Sequence, residues 1–192
     1  MIAWKRLRLA AVLGLTVGVL GGGAATADSA YRAFGDRGRP QDARRTITVV
    51  MRDNSFEPQT IRVRAGETVR FVVRNEGALL HEFNLGTREM HRRHQREMQT
   101  MFEHGMMTAT SIGPVPAQGG SHAGGPHAGG HQVGHGQHMA QMHHNDPNSL
   151  LLEPGQSGEL VWKFTRAVEL EFACNIPGHY ESGMVGWVAF VR

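Results

Sequence analysis

"VELEFACNIPGHYESGMVGWVAFVR", residues 168–192, carries the chain's one cysteine between two runs of strand character. Val168, Leu170, Phe172 and Cys174 share one parity; Glu169, Glu171 and Ala173 share the other. A two-residue period is the mark of a strand with one buried face, so Cys174 points with the apolar set. Pro177 and Gly178 then turn the chain at His179. Gly183 permits a second bend before Met184, and "VGWVAFVR" resumes as a last strand.

The same period runs upstream. Ile47, Val49 and Met51 alternate with Thr48, Val50 and Arg52; Ile61 and Val63 alternate with arginines; Val69, Phe71 and Val73 alternate with Arg70, Val72 and Arg74. "RAGE" at 64–67 and "NEG" at 75–77 supply turns between them. A further strand over Leu79 to Leu85 sets His81, Phe83 and Leu85 opposite Leu80, Glu82 and Asn84. "SLLLEPGQSGELVWKFT" at 149–165 reads as two strands around Pro154 and Gly155, with Leu160, Trp162 and Phe164 in one phase. Seven or eight short strands predict an all-β sandwich with a single two-sheet core.

The N-terminus reads differently. Residues 1–27 carry Lys5, Arg6 and Arg8, an apolar run from Leu9 to about Leu20, and "ATA" ending at Ala27. That is the pattern of a signal peptide cleaved after Ala27. The alternative is a retained membrane anchor, for which the apolar run is short against the roughly 20 residues a bilayer needs. Lys+Arg number 20 and Asp+Glu 17, so the formal +3 equals the three basic residues of this segment. The remainder is balanced, which argues against nucleic acid or an anionic membrane as partner. The signal-peptide pattern predicts an exported, periplasmic protein that leaves the membrane on cleavage. A single exported cysteine forms no internal disulfide; it is buried, reactive or metal-bound. Residues 28–43 lack a period and read as a flexible leader, and 44–192 as one domain interrupted at 87–148.

An inward histidine needs a partner for its ring nitrogens. Taken singly, Cys174 is as well read as a small hydrophobe, and His81 as a hydrogen-bonded core residue. Taken together, His81, Cys174, His179 and Met184 offer two imidazoles, a thiolate and a thioether. That set matches a trigonal His₂Cys copper site with a weak axial Met.

"FEPQTIRVRAGETVRFVVRNEGALLHEFNL" (56–85) and "CNIPGHYESGMVGWVAFV" (174–191) resemble the cupredoxin family of plastocyanin- and azurin-like copper proteins. The resemblance covers about Thr46 to Leu85 and Leu150 to Arg192. It implies a Greek-key sandwich, one type 1 copper near one end, and His81, Cys174, His179 and Met184 as its ligands. It also implies an electron path at the edge of His179. Many cupredoxins place Asn directly after the first His, where Glu82 stands here. That departure leaves blue and green spectra both open.

Between Arg88 and Asn148 there is no leucine, but ten of the 12 His and seven of the 10 Met lie there. Residues 88–107 have helical character, with Met90, His94, Met98 and Met101 on one face and His91, His104, Met106 and Met107 near it. One reading makes these copper ligands; the other makes an amphipathic helix that uses Met in place of Leu. Residues 117–144 hold His122, His127, His131, His135, His138, His143 and His144 among eight Gly, with Met139 and Met142. Such a tract is expected to be disordered without metal and able to wrap additional copper; the alternative is an inert spacer.

Two functions follow. In the first, the chain handles copper in the cell envelope, binding Cu(I) or Cu(II) for copper tolerance, with an exporter or oxidase as partner. The cupredoxin segments joined to a Met/His-rich insertion resemble the periplasmic copper-tolerance cupredoxins of the CopI type. In the second, it is a soluble electron shuttle with a periplasmic redox partner; in either case a monomer is expected. A third class is an enzyme such as a weak cuprous oxidase, while no acid–base or nucleophile arrangement supports a hydrolase.

Overall fold

The computed structural model describes residues 27–113 and 146–192. In chain order the strands before the insertion are β1 (Gly35–Arg37), β2 (Arg45–Arg52), β3 (Ser55–Glu57), β4 (Thr60–Val63), β5 (Thr68–Asn75) and β6 (His81–Gly86). The helix α1 (Arg88–Glu103) comes next, then β7 (Ser149–Leu152), β8 (Ser157–Phe164), β9 (Leu170–Ala173) and β10 (Val185–Phe190). They form two five-stranded sheets, in the orders β1-β8-β5-β2-β3 and β4-β10-β9-β6-β7. β2 with β5 and β4 with β10 are parallel. Consecutive strands such as β7 and β8 belong to different sheets, so the chain crosses the sandwich repeatedly.

The parity read from sequence sets the core. Val49, Met51, Ile61, Val63, Val69, Phe71, Val73, Leu160, Trp162 and Phe164 are all buried. Phe172 is edge-on to Phe56 at 5.1 Å and tilted against Phe83 at 5.5 Å. Such ring pairs each add about 0.5–1.5 kcal/mol beyond area burial.

Among the described residues ten strands stand where seven or eight are expected. β1 and β3 have three residues each, too few to display a period. The leader also needs correction: residues 28–43 are not all a loose extension. β1 pairs with β8, and Phe34 is fully buried. Phe34 and Tyr31 lie against Trp162, with centroids 5.6 and 5.8 Å away. A Cβ on Gly35 would sit 2.3 Å from Trp162 Nε1, so only glycine lets β1 pass over the indole. One aromatic anchor and one glycine leave no pattern in polar sequence.

α1 is shorter than the 88–107 expected. Thr87 caps it, its Oγ1 accepting from Met90 N at 3.3 Å. Its buried residues are His91, His94, Met98 and Met101, while Met90 is half-buried. The helix lies on the outer face of β6 and β9, and every residue of those two strands is buried. Single-face burial, the expectation there, therefore fails: Glu82, Asn84 and Glu171 lie inside. Past the helix, 104–113 returns over the approach to β6, where Leu80 N donates to Ala109 O at 2.7 Å. Among the described residues no helix is long and apolar enough to cross a membrane. Residues 1–26, most of the expected signal peptide, and 114–145, with the His/Gly tract, lie outside the described residues.

Candidate metal centre

Three segments meet at one end of the sandwich. His81 opens β6, Cys174 follows β9, and His179 lies in the loop that leads to β10. Gly178 and Gly183 both take positive φ, 83° and 95°, and supply the two bends. The loop is closed by backbone bonds: His179 N to Ile176 O, Met184 N to His179 O and Cys174 N to Met184 O, at 3.0, 3.0 and 3.1 Å. Met184 is thereby pinned beside the cysteine, and its side chain is fully buried.

One donor atom each from His81, Cys174 and His179 lie within 4.8 Å of one another. Cys174 Sγ is 3.9 Å from His81 Nδ1 and 3.3 Å from His179 Nδ1. Bonds of about 2.0 Å to nitrogen and 2.3 Å to sulfur call for a nitrogen–sulfur separation of about 3.7 Å in a trigonal plane. The two distances straddle that value, so the donor set fits a single transition-metal ion.

The electrostatics suit a ligand set. Burial holds the Cys174 thiol up at about 12, so the metal-free protein carries it protonated, and a bound cation must displace that proton. Burial also pulls His81 down, against the opposing pull of Asp53. His179 falls for the same reason, helped by the neighbouring His81. Both imidazoles are thus kept neutral, as ligands must be.

Outer contacts orient the donors. His81 Nε2 lies 2.9 Å from Asp53 Oδ1, which also accepts from Ala78 N and Leu79 N at 3.0 and 3.3 Å. The hydrogen bond with His81 holds the Asp53 carboxyl below its ordinary value. Asn75 Nδ2 donates to Leu79 O and Leu152 O, both at 2.8 Å, and fixes the loop before His81. The Glu82 amide donates to Cys174 Sγ at 3.3 Å. Asp53, Asn75, and Asn175 beside Cys174 escaped the sequence reading. The one local signal was the Asp53-Asn54 turn, where Asn54 adopts φ 67°; that Asp53 reaches His81 is decided by the fold.

Most of the helical candidates pack or hydrogen-bond within the described residues. Met98, Met101 and Met107 belong to the hydrophobic core, with Met90 and Met106 half-buried against it. His94 faces Glu82, and exposed His104 places Nδ1 2.7 Å from Thr100 O at the helix end. His91 is fully buried, and neither ring nitrogen has a hydrogen-bond partner among the described residues. The only metal-compatible cluster of three or more His, Cys, Asp or Glu among the described residues is His81, Cys174 and His179. His122, His127, His131, His135, His138, Met139, Met142, His143 and His144 lie outside the described residues.

Comparison with known proteins defines the class first. Residues 24–100 match the cupredoxin-like domain family. The fold is similar to auracyanin B, with a TM-score of 0.53 at 17% identity over 82% of this chain and 96% of that one. Closer relatives carry one name. The chain is 50% identical over 177 residues to the copper-resistant cuproprotein CopI of Pseudomonas aeruginosa, covering 90% of this chain and 91% of that one. It is 39% identical over 163 residues to CopI of Rubrivivax gelatinosus, covering 84% and 74%. The chain therefore belongs to the CopI family of cupredoxins.

Proposed function

We propose that this chain is a periplasmic copper protein that protects the cell from copper, with one type 1 site held by His81, Cys174, His179 and Met184. The observation that carries the reading is the convergence of two neutral imidazoles and a buried thiol on one point. Met184, fixed by the closed loop, supplies the fourth donor. Copper bound there would bring a one-electron Cu(I)/Cu(II) couple and a thiolate charge-transfer band. The chain's own part is a pocket already shaped. Asp53 orients the His81 ring, the loop bonds hold His179 and Met184, and little need move when the ion's charge changes.

Copper handling is favoured over electron shuttling by two features. Relatives of half and two-fifths identity are described as copper-resistant. The chain also carries seven histidines in 117–144, which a shuttle has no use for and a copper-capturing protein does. The basic and apolar start of the sequence supports export.

Two measurements test this. The copper-loaded protein is expected to be intensely coloured, and Cys174→Ser to abolish the colour; a coloured Cys174→Ser variant overturns the site. A strain lacking the gene is expected to be selectively copper-sensitive. A respiratory defect with normal copper tolerance would favour the shuttle instead.

A further inference from the structure

Glu82 stands out beyond the donors: it is a carboxylate with no exposed surface, next in sequence to His81. Removing a carboxylate from water is costly unless charge or hydrogen bonds compensate. Its partners come from four parts of the chain. Oε1 accepts from Ser149 Oγ of β7 at 2.6 Å and from Asn84 Nδ2 of β6 at 3.3 Å, and it meets His94 Nε2 of α1 at 2.9 Å. Oε2 accepts from the backbone and side-chain nitrogens of Asn175 at 3.3 and 2.8 Å. The same residue's amide donates to Cys174 Sγ.

His94 is gripped from its other side, with Nδ1 3.0 Å from Glu97 and 3.7 Å from Asp146. Burial alone would lower its imidazole, but Glu82, Glu97 and Asp146 outweigh that and push it up to about 10. The helix therefore presents a cation to the buried carboxylate.

We propose that His94, on the helix of the inserted segment, is a positioning residue for the Cys174 sulfur and acts through Glu82. Held between His94 and Asn175, the Glu82 carboxylate fixes the residue after the cysteine. It also fixes the 81–82 peptide, so that its N–H stays aimed at sulfur. Hydrogen bonding at the cysteine sulfur is one of the terms that set the potential of a copper–thiolate site. Outer contacts of this kind also set metal affinity. The inserted helix is then a wall of the metal centre, and its loss is felt at the sulfur. The proposal rests on Cys174 being a copper donor.

The test uses the full mature chain loaded with copper. His94→Leu removes the contact. His94→Asn is the second variant, polar enough for the site but too short to reach Glu82. His94→Gln can still donate to Glu82 and is the conservative rescue. The expected result for Leu and Asn is a shifted charge-transfer band, a lower midpoint potential and a copper affinity reduced by about 10–100-fold, with Gln returning towards the parent. In the metal-free protein, Cys174 alkylation should be faster in the Leu and Asn variants. A folded Leu or Asn variant with the parent's band and potential overturns the proposal. Retention of colour by Cys174→Ser would instead remove the copper reading beneath it.

Discussion

At the scale of single residues, the centre depends on side chains that hold the donors. Asp53 is the clearest, since it ties the His81 ring and two loop amides to one carboxylate. Asp53→Ala should lower copper affinity by about 10–100-fold while leaving the strands intact, as isothermal titration beside circular dichroism would report. His94 gives a pH prediction. Its folded pKa, about 10, lies above the unfolded value near 6.5, so its contribution to stability is complete below pH 6.5 and is lost as pH rises towards 10. The metal-free protein should therefore lose melting temperature between pH 6.5 and 9, below the range in which the thiol of Cys174 titrates. His94→Gln should flatten that slope; an unchanged slope would remove His94 as its source.

At the scale of elements, α1 shows how one residue type can serve two readings. A face of Met and His is consistent with copper capture and with packing; Met98 and Met101 lie in the hydrophobic core, and His94 meets Glu82. Met98 is fully buried between helix and sheet. Met98→Ala should cost about 2–5 kcal/mol in thermal or denaturant unfolding and leave copper stoichiometry unchanged. Loss of a copper ion without loss of stability would reverse that assignment. The helix also explains why β6 and β9 are buried on both faces: it covers carboxylates that strand parity had turned away from the core.

At the scale of the whole molecule, the inserted segment divides into a described part and a histidine-rich part outside the described residues. Residues 88–113 belong to the architecture, covering one sheet and reaching the approach to His81. Residues 114–145 hold most of the histidines. Replacing 114–145 by a short Gly/Ser linker should preserve the coloured centre and lower total bound copper, as metal analysis of the purified protein would measure. Unchanged stoichiometry would reduce that tract to a spacer. Extending the deletion through α1 should remove the colour as well, because Glu82 and Glu171 would lose their cover.

By itself the sequence determined the sandwich, the parity of nearly every core position and the strand–loop–strand that carries Cys174, His179 and Met184. Those are local properties: a period of two, turn residues and donor spacing are all written within a few neighbours. Only the tertiary structure decided that Phe34 joins the core, that Asp53 reaches His81 across 28 positions, and that His94 meets Glu82 beneath a helix. Each is a contact between distant segments whose partners have no local signature. A buried Glu and a buried His look like ordinary surface residues until the fold removes the water and brings distant partners to both.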